Sequence, residues 1–389
     1  MIHTFPRHSL SKVSPRERLR LILVKKLSVL LSSHILFLRA DDMKWTIVIG
    51  LLVVMATGQA IRNSTEWLKY EEEWPRYKTT FAKVYMTREE EARKAKIFLE
   101  NLEYISRHNQ EADRGLHSYR LGVTPFADMT PEEFTQSRLD VGMILNSQNS
   151  SLDNLKTHMR SSERNANMEY KDWRDDGVIT KEVRNQGDCN SCYAFAAVEA
   201  IESYFAIAGH SLTRRSAQQF VDCTGGSGNK GCTGGTVRNC FMYAKRTSLM
   251  TEENYPYVGK KNKNCKYKKV TSVRVSNIYK IARGSEADLK DAVAEVGPVA
   301  ASIHGSQKDF YLYKSGIYNT CPTDHNGRYL DHALLVIGFR DEGDGKDYWI
   351  VKNSWGTGWG EGGYGKIAMN HENMCGIADR ATYATVKKK

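Results

Sequence analysis

The position of the cysteines constrains this 389-residue chain more than any other feature of its sequence. All eight lie between Cys189 and Cys375, and the residues before them contain none. Because disulfides form in oxidising compartments, this asymmetry predicts a disulfide-bonded C-terminal unit behind an N-terminal unit without thiols. The length allows two domains, and a hydrophobic content of 41 % excludes a disordered or fibrous protein.

The chain carries a net charge of +11, with basic clusters at 260–269 and Lys387–Lys389. Such clusters can bind nucleic acid, but no nucleic-acid-binding motif accompanies them. A solvated basic surface is therefore the better interpretation, no nucleic-acid partner is expected, and an acidic glycan remains an alternative. No metal ion or other cofactor is predicted.

The N-terminal region resembles a targeting signal. Residues 43–60 combine a basic start at Met43–Lys44 with a short apolar run and small residues, which predicts a signal peptide rather than a stable membrane anchor. Residues 1–42 precede it and are interpreted as a non-native extension, with a longer signal anchor as the alternative. The secretory pathway leads to the lysosome or the cell exterior, and the sequons at Asn63 and Asn149 become candidate glycosylation sites.

A helical N-terminal unit is predicted for residues 61–135. Thr87 followed by Glu90 is typical of a capping box, and neither Gly nor Pro follows until Gly115. Residues spaced three or four apart then share one helix face: Glu90, Lys94, Phe98, Asn101, Ile105 and Asn109. An ordinary amphipathic helix explains the apolar members of this stripe but not its two asparagines.

The last unit, residues 168–389, follows a polar segment without periodicity at 136–167, which is interpreted as a linker open to proteolysis. An Ala-rich helix is predicted from Cys192 to Ala208, with Gly209 ending it. Apolar or alternating runs divided by Gly-rich turns predict three strands, namely Ala333–Phe339, Tyr348–Lys352 and Tyr364–Met369. A helical half before a sheet half predicts an α+β fold of two subdomains with a cleft between them.

Three local motifs supply the residues of a thiol nucleophile site. Cys192 stands where the Ala-rich helix begins, and the partial positive charge of a helix N-terminus favours the thiolate. Gln186 precedes it and can donate a hydrogen bond to a developing oxyanion. His332 opens a predicted strand and can act as the base, while the side-chain carbonyl of Asn353 can orient its ring and Trp355 can shield the pair from water.

With these motifs, residues 168–386 resemble the papain family of cysteine proteases, near its cathepsin L branch. The matching segments in chain order are Asp172-Trp173-Arg174, Gln186 to Cys192, Gly231-Cys232-Thr233-Gly234-Gly235, Gly297-Pro298-Val299 and Tyr348 to Trp359. Glu90 to Asn109 and Gly122 to Asp128 resemble the helical inhibitory propeptide of the same proteases. The resemblance implies a papain-like fold, with a helical left subdomain and a β-barrel-like right subdomain behind an α-helical propeptide.

The activity that the resemblance implies is that of a cysteine endopeptidase made as an inactive zymogen, hydrolysing peptide bonds through an acyl-enzyme on Cys192. It implies Gln186 as oxyanion donor, His332 as base and Asn353 as the residue that orients it. The substrate-binding residues that it implies are Gly234, Gly235, Thr236, Val237, Ser302, Leu330, Ala333, Trp355 and Arg380. Arg380 falls at the floor of the main specificity pocket, where its charge can point into water or reach an acidic substrate residue.

The resemblance also implies a disulfide framework. It pairs Cys189 with Cys232, Cys223 with Cys265, and Cys321 with Cys375. Cys192 is then free, as the mechanism requires, and Cys240 is an extra thiol. A fourth disulfide between these two is the alternative, and it would abolish activity.

Four positions depart from the family pattern: Tyr193 replaces the usual Trp, Asn190 the usual Gly, Lys94 an Arg and Thr124 an Asn. None of these changes removes a catalytic group, so they bear on propeptide affinity and cleft shape. The segment between Cys189 and Cys232 has no room for an occluding loop, and the propeptide has no Cys to tether a minichain. Both absences favour an endopeptidase with an open cleft.

Several interpretations follow for partners and activation. The expected partners are protein and peptide substrates, the chain's own propeptide and cystatin-type inhibitors, with a monomeric enzyme. Activation is expected to cut between Arg160 and Met168, after acid protonates propeptide carboxylates such as Asp128 and Glu90. The alternatives are a non-catalytic papain-like binding protein and an inhibitor built on the propeptide fold, which the full C-terminal unit disfavours.

Overall fold

The computed structural model describes residues 71–139, 155–160, 168–270, 274–321, 329–343 and 345–387. The predicted extension, signal peptide and sequons, at 1–42, 43–60, Asn63 and Asn149, lie outside these residues, as does most of the 136–167 linker. The chain forms two compact units, Met1–Arg76 and Tyr77–Lys389, within which most of the residue contacts fall. The second unit contains every candidate catalytic residue. Within the described part of the chain, no helix is both long and apolar enough to cross a membrane.

The propeptide-like region is helical, as its sequence predicts. Residues 71–80 are helical, and three elements follow them: helix α1 (Arg88–Asp113), strand β1 (Tyr119–Leu121) and helix α2 (Pro131–Arg138). Thr87 caps α1, because its hydroxyl accepts from the backbone N–H of Glu90 at 3.1 Å. The carboxylate of Glu90 accepts from the backbone N–H of Met86 at 2.8 Å, one residue before the position of a standard capping box.

The two asparagines of the α1 stripe tie the helix to the chain that follows it. Asn101 is 3 % exposed, and its Nδ2 donates to the carbonyls of Ala127 at 2.8 Å and Met129 at 3.2 Å. Asn109 donates to the carbonyl of Leu121 at 2.9 Å and accepts from its N–H at 3.0 Å. Polar residues on this face therefore satisfy loop and strand backbone groups that apolar residues would leave unpaired.

The C-terminal unit begins with a buried central helix, α3 (Cys192–Ile207). Its small apolar residues allow neighbours to pack on every side, and Gly209, with φ at +86°, follows its end. The shorter helices are α4 (Ala217–Cys223), α5 (Val237–Arg246), α6 (Glu286–Glu295) and α7 (Lys308–Tyr311). Single 3₁₀ turns span Gly225–Ser227, Gly231–Thr233 and Met374–Gly376.

The described residues form a ten-stranded mixed sheet. Besides β1, its strands are β2 (Lys156–Thr157), β3 (Tyr170–Asp172), β4 (Val275–Lys280), β5 (Val299–Ile303), β6 (Tyr313–Tyr318), β7 (His332–Arg340), β8 (Tyr348–Lys352), β9 (Tyr364–Ala368) and β10 (Thr382–Val386). The order is β1-β6-β9-β8-β7-β5-β10-β4-β2, and β3 pairs with β7. The α+β class is confirmed, and strands from the propeptide and the linker form the two ends of the order.

Three disulfides join the described residues. They link Cys189 to Cys232, Cys223 to Cys265 and Cys321 to Cys375, with Cα–Cα distances of 4.6, 4.9 and 5.0 Å. This is the pairing that the resemblance implies. Cys192 and Cys240 are both buried thiols outside the three disulfides, so the alternative disulfide between them is not formed. Burial raises the pKa of Cys240 well above its ordinary value, and Asn229 donates to its sulfur at 3.4 Å.

Candidate active site

Cys192 is the first residue of α3 and is completely buried in this structure. The Cys189–Cys232 disulfide holds the turn before it, and the N–H of Asn190 donates to the carbonyl of Cys232 at 3.2 Å. Ser191 is the N-cap but makes no side-chain cap; its hydroxyl bonds that of Tyr257 at 2.7 Å. The positive end of the helix therefore faces the thiol without a capping side chain to offset it.

His332 and Asn353 meet because β7 begins where β8 ends. The strands pair antiparallel, with Leu335 opposite Lys352, and Asn353 follows Lys352 directly. Nε2 of His332 lies 2.8 Å from Oδ1 of Asn353. The N–H of Ser354 donates to the same oxygen at 2.8 Å, which fixes the orientation of the amide.

The tautomer of His332 follows from this geometry. Since Oδ1 of Asn353 can only accept, Nε2 must carry the proton of the neutral ring, and the lone pair is left on Nδ1. Nδ1 is buried and has no hydrogen-bond partner within the described residues. The free lone pair belongs to the nitrogen that a base would use.

Aromatic rings cover the imidazole. Trp355 stacks on His332 with centroids 4.4 Å apart, and Trp359 meets Trp355 edge-on at 5.4 Å. Phe126 and Phe134 of the propeptide region pack on the same indole at 5.4 and 5.3 Å. Burial lowers the pKa of His332 to about 4, although its bond to Asn353 opposes the shift.

Gln186 connects the helix side of the site with the sheet side. Its backbone N–H donates to the carbonyl of Ser354 at 2.9 Å, and its Oε1 accepts from the Ser354 hydroxyl at 2.9 Å. The Nε2 group of the Gln186 amide therefore points away from Ser354, and it donates to the carbonyls of Cys189 at 3.1 Å and Arg138 at 2.9 Å. A carbonyl of the propeptide region thus occupies the candidate oxyanion donor.

The end of α2 covers the site, a feature that the sequence analysis missed. The Arg138 guanidinium lies 2.6 Å from Asp188 and over the ring of Phe126, while Leu139 is completely buried. A capping box between Thr130 and Glu133 starts α2, with Pro at its first turn. The sequence Thr130-Pro131-Glu132-Glu133 is a recognisable helix start, so this helix could have been predicted.

Two positions of the propeptide region that depart from the family pattern make polar contacts, one to the C-terminal unit and one within the propeptide region. Thr124, which replaces the usual Asn, donates its hydroxyl to the carbonyl of Tyr311 at 2.9 Å, and Phe134 stacks on that tyrosine at 4.3 Å. Lys94, which replaces the usual Arg, donates to Glu133 at 2.9 Å. Both departures from the family pattern therefore keep a polar contact.

The predicted substrate-binding glycines lie in a crowded loop. Gly234 has φ at +114°, and a Cβ on Gly235 would lie 2.6 Å from Asn229 and 2.8 Å from the ring of Tyr193. The hydroxyl of Tyr193 donates to the carbonyl of Gly231 at 3.0 Å. Tyr193, which stands where the family usually has Trp, therefore packs against the glycine loop and donates a hydrogen bond to it.

The predicted pocket residues fall into two groups. Ser302 and Ala333 pair across β5 and β7, and the N–H of Ser302 donates to the carbonyl of Arg380 at 3.3 Å. Leu330 lies near this group, since the N–H of the next residue, Asp331, donates to the carbonyl of Ile303 on β5 at 3.0 Å. The second group is Thr236 and Val237, the N-cap and first residue of α5.

Arg380 is half-buried. Burial and the nearby charge of Arg283 lower its pKa, and Asp379 opposes this shift. Its guanidinium is therefore partly desolvated.

Known proteins resemble both the propeptide region and the C-terminal unit of this chain. Residues 168–385 match the family described as papain family cysteine protease, and residues 74–134 match the cathepsin propeptide inhibitor domain. Cathepsin L of Sarcophaga peregrina is 39 % identical over 355 residues, covering 88 % of this chain and 99 % of that protein. Cathepsin J of Mus musculus is 37 % identical over 347 residues, covering 86 % and 98 %.

Solved structures of proforms share the fold. The digestive procathepsin L2 proteinase from the larval midgut of Tenebrio molitor is 37 % identical, with a TM-score of 0.72, and the match covers 81 % of this chain and 99 % of that one. The recombinant stem bromelain precursor is 30 % identical, with a TM-score of 0.70. Both matches extend across the propeptide region and the C-terminal unit.

Proposed function

This chain belongs to the papain family of cysteine proteases and is the zymogen of a cysteine endopeptidase, and we propose that Cys192 is its nucleophile, with His332 as base. Asn353 orients the base, and Gln186 donates to the oxyanion. One observation carries the proposal: the bond from His332 to Asn353 leaves a buried Nδ1 without a partner among the described residues. A structural histidine would satisfy that atom.

The proposed reaction has two stages, acylation of Cys192 and hydrolysis of the acyl-enzyme, and His332 transfers a proton in both. Nδ1 of His332 takes the proton of the Cys192 thiol, and the sulfur attacks the carbonyl carbon of the scissile bond. The carbonyl oxygen becomes an oxyanion that accepts from the Gln186 amide and the backbone N–H of Cys192. The protonated imidazole then gives its proton to the leaving amine, and a water deprotonated by Nδ1 hydrolyses the acyl-enzyme.

The propeptide inhibits by occupying the groups that this reaction needs. The carbonyl of Arg138 accepts from Gln186, and Leu139 is buried beside it in sequence. Phe126 and Phe134 pack on Trp355, which stacks on His332, and burial in this covered site lowers the pKa of His332 and keeps it neutral. An uncovered site regains solvent, which allows the imidazole to become charged.

Substrate choice is proposed from the pocket residues. Ser302, Ala333 and Leu330 are small or apolar, so an aliphatic or aromatic side chain two residues before the scissile bond is favoured by burial. Arg380 either keeps its charge in water or adds tolerance for Glu or Asp, at about 1 kcal/mol for a partly solvated pair. Unchanged Glu/Leu substrate ratios in Arg380→Ala would exclude contact with the substrate.

Processing and location complete the proposal. The activating cut falls between Arg160 and Met168, and the chain reaches the lysosome or the cell exterior through the signal-like residues 43–60. The three disulfides support an oxidising route. Cystatin-type inhibitors and a monomeric state are proposed with it.

A labelled epoxide applied to acid-treated protein tests the assignment. The wild-type enzyme is expected to be labelled at Cys192 and to cleave peptides internally, whereas Cys192→Ser should do neither while folding normally. Labelling at Cys240 instead, or none at all, would favour the non-catalytic alternative. The buried Cys240 thiol, with its raised pKa, is the internal control.

A further inference from the structure

A short part of the linker is bound to the C-terminal unit away from the cleft. Strand β2 pairs parallel with β4, with Lys156 opposite Tyr279 and Thr157 opposite Lys280. The N–H of His158 continues the pairing by donating to the carbonyl of Lys280 at 2.7 Å. The segment therefore completes the free edge of β4, and its sequence has no alternating pattern that would predict a strand.

The side chain of His158 is buried between two polar groups. It is 8 % exposed, with Nε2 at 2.8 Å from Oδ2 of Asp291 on α6 and Nδ1 at 2.9 Å from the hydroxyl of Tyr383 on β10. Tyr383 is itself held, since it stacks on Tyr279 with centroids 5.0 Å apart. Two residues after His158, Arg160 pairs with Asp288 at 2.7 Å.

These contacts are more specific than a linker requires. Asp291 is only 4 % exposed, and a carboxylate buried to that degree needs strong donors. The segment supplies one of them through His158. Backbone pairing along a sheet edge, combined with one side chain in a polar pocket, is how many proteins recognise extended peptides.

We propose that the groove formed by β4, α6 and β10 is an exosite that binds an extended peptide carrying a histidine, and that its occupant is the chain's own Lys156–Arg160 segment. None of these three elements contains Cys192, His332 or Asn353. The exosite therefore holds the end of the propeptide independently of the cleft. The role of the exosite after activation rests on the proposed function, in which the chain is cut beyond Arg160. The Lys156–Arg160 segment is then held in the exosite by non-covalent contacts alone.

The hydrogen-bond pattern of this exosite suits either charge state of His158. In the neutral ring, Nε2–H donates to Asp291 and the Tyr383 hydroxyl donates to Nδ1. In the charged ring both nitrogens donate, the hydroxyl oxygen accepts, and the contact with Asp291 becomes an ion pair.

The charged groups around His158 support binding in mild acid. They are Lys156 and Arg160 from the segment, Asp288, Asp291 and Glu295 from α6, and Lys280 from β4, with the Tyr279 and Tyr383 hydroxyls beside them. The carboxylates are spaced three and four residues apart on α6 and so share one helix face, and Asp291 is the one that contacts the imidazole. Binding is therefore expected at pH 5 as well as at pH 7.

A peptide-binding experiment tests the exosite. A fluorescent peptide of residues 153–162 is titrated into acid-processed enzyme that has been separated from its cleaved propeptide by dilution and gel filtration, and whose Cys192 has been capped by an epoxide to block the cleft. Saturable binding is expected at pH 7 and again at pH 5. A peptide with His158→Ala should bind at least about tenfold more weakly, because a charge-assisted hydrogen bond is lost.

The matched control is Met159→Ala, because Met159 is 86 % exposed on the same segment and its loss should change affinity less than about twofold. The substitution Asp291→Asn in the enzyme should weaken binding of the wild-type peptide. Equal binding of the His158→Ala and wild-type peptides, or no saturable binding, would overturn the proposal.

A second measurement does not depend on catalysis. In full-length Cys192→Ser protein, His158→Ala should accelerate amide hydrogen exchange at 156–158 and 279–280, whereas Met159→Ala should not. If the epoxide fails to label Cys192 but this difference appears, the proposed nucleophile is wrong and the exosite stands. Equal exchange rates in both variants would refute the exosite proposal without affecting the assignment of Cys192 as nucleophile.

Discussion

Replacing Asn101 by Leu should open the zymogen without touching the catalytic residues. The Asn101 side chain is buried, and its Nδ2 donates to the carbonyls of both Ala127 and Met129. Those two residues flank Asp128 and follow Phe126, whose ring packs on the Trp355 indole. The substitution therefore loosens the loop that covers the site.

The magnitude follows from the two carbonyls. Each buried acceptor left without a donor costs about 1–3 kcal/mol, and Leu regains only about 0.5 kcal/mol through its better helix propensity. The net loss of propeptide stability is then about 1.5–5.5 kcal/mol. Since about 1.4 kcal/mol is a tenfold change in an equilibrium constant, the open population should rise at least about tenfold.

Two assays follow this change. In a Cys192→Ser background, calorimetry should detect a lower thermal midpoint for Asn101→Leu. In the active background at neutral pH, the epoxide should label Cys192 faster in proportion to the open population. The control is Gln110→Leu on the same helix, because Gln110 is exposed and its amide donates to the Ser106 hydroxyl at 3.4 Å rather than to a loop carbonyl.

If Asn101→Leu melted and labelled like Gln110→Leu, the argument from the two carbonyls would be refuted. The stripe would then be an ordinary amphipathic face. Faster labelling with no loss of stability would also contradict it, because the predicted opening has the same free energy as the lost hydrogen bonds.

Three further outcomes are expected from the catalytic geometry. Cys192→Ser should lower peptidase kcat by orders of magnitude, and activity within about tenfold of wild type would disprove its role. Asn353→Ala should leave substrate KM nearly unchanged but lower kcat and shift the pH profile, because the His332 tautomer is no longer fixed. Burial holds the pKa of His332 near 4 against about 6.5 in water, so acid favours the open zymogen: closure should weaken by up to about 2 kcal/mol between pH 7 and pH 5, measured as the ratio of zymogen to mature-enzyme labelling rates.

Local signals in the sequence carried much of the fold and of the candidate site. The stop at Gly209 and the Ala-rich run predict α3 to within one residue, since Ala208 is its C-cap. The strand prediction Tyr348–Lys352 coincides with β8, and Tyr364–Met369 exceeds β9 by one residue. These elements have periodicity and turn residues of their own, so neighbours along the chain determine them.

Contacts between distant segments could not be predicted in the same way. Strand β2 forms only because β4 offers an edge far along the chain, and nothing in Lys156-Thr157 distinguishes it from linker. The carbonyl of Arg138 likewise reaches Gln186 through the path of the backbone, which side-chain identity does not encode. The capping box at Thr130 differs from these long-range contacts, because four consecutive residues of the sequence are enough to indicate the start of α2.

The two attachments of the propeptide respond differently to acid, which fixes an order for activation. Covering His332 keeps an imidazole neutral that water would allow to charge, so lowering the pH favours uncovering the cleft. At the β2 edge of the sheet, a charged His158 ring can keep both hydrogen bonds, and its contact with Asp291 is then an ion pair. Acid therefore releases the propeptide at the cleft while the exosite still holds its far end, so the residues beyond Arg160 stay next to the enzyme when the cut is made.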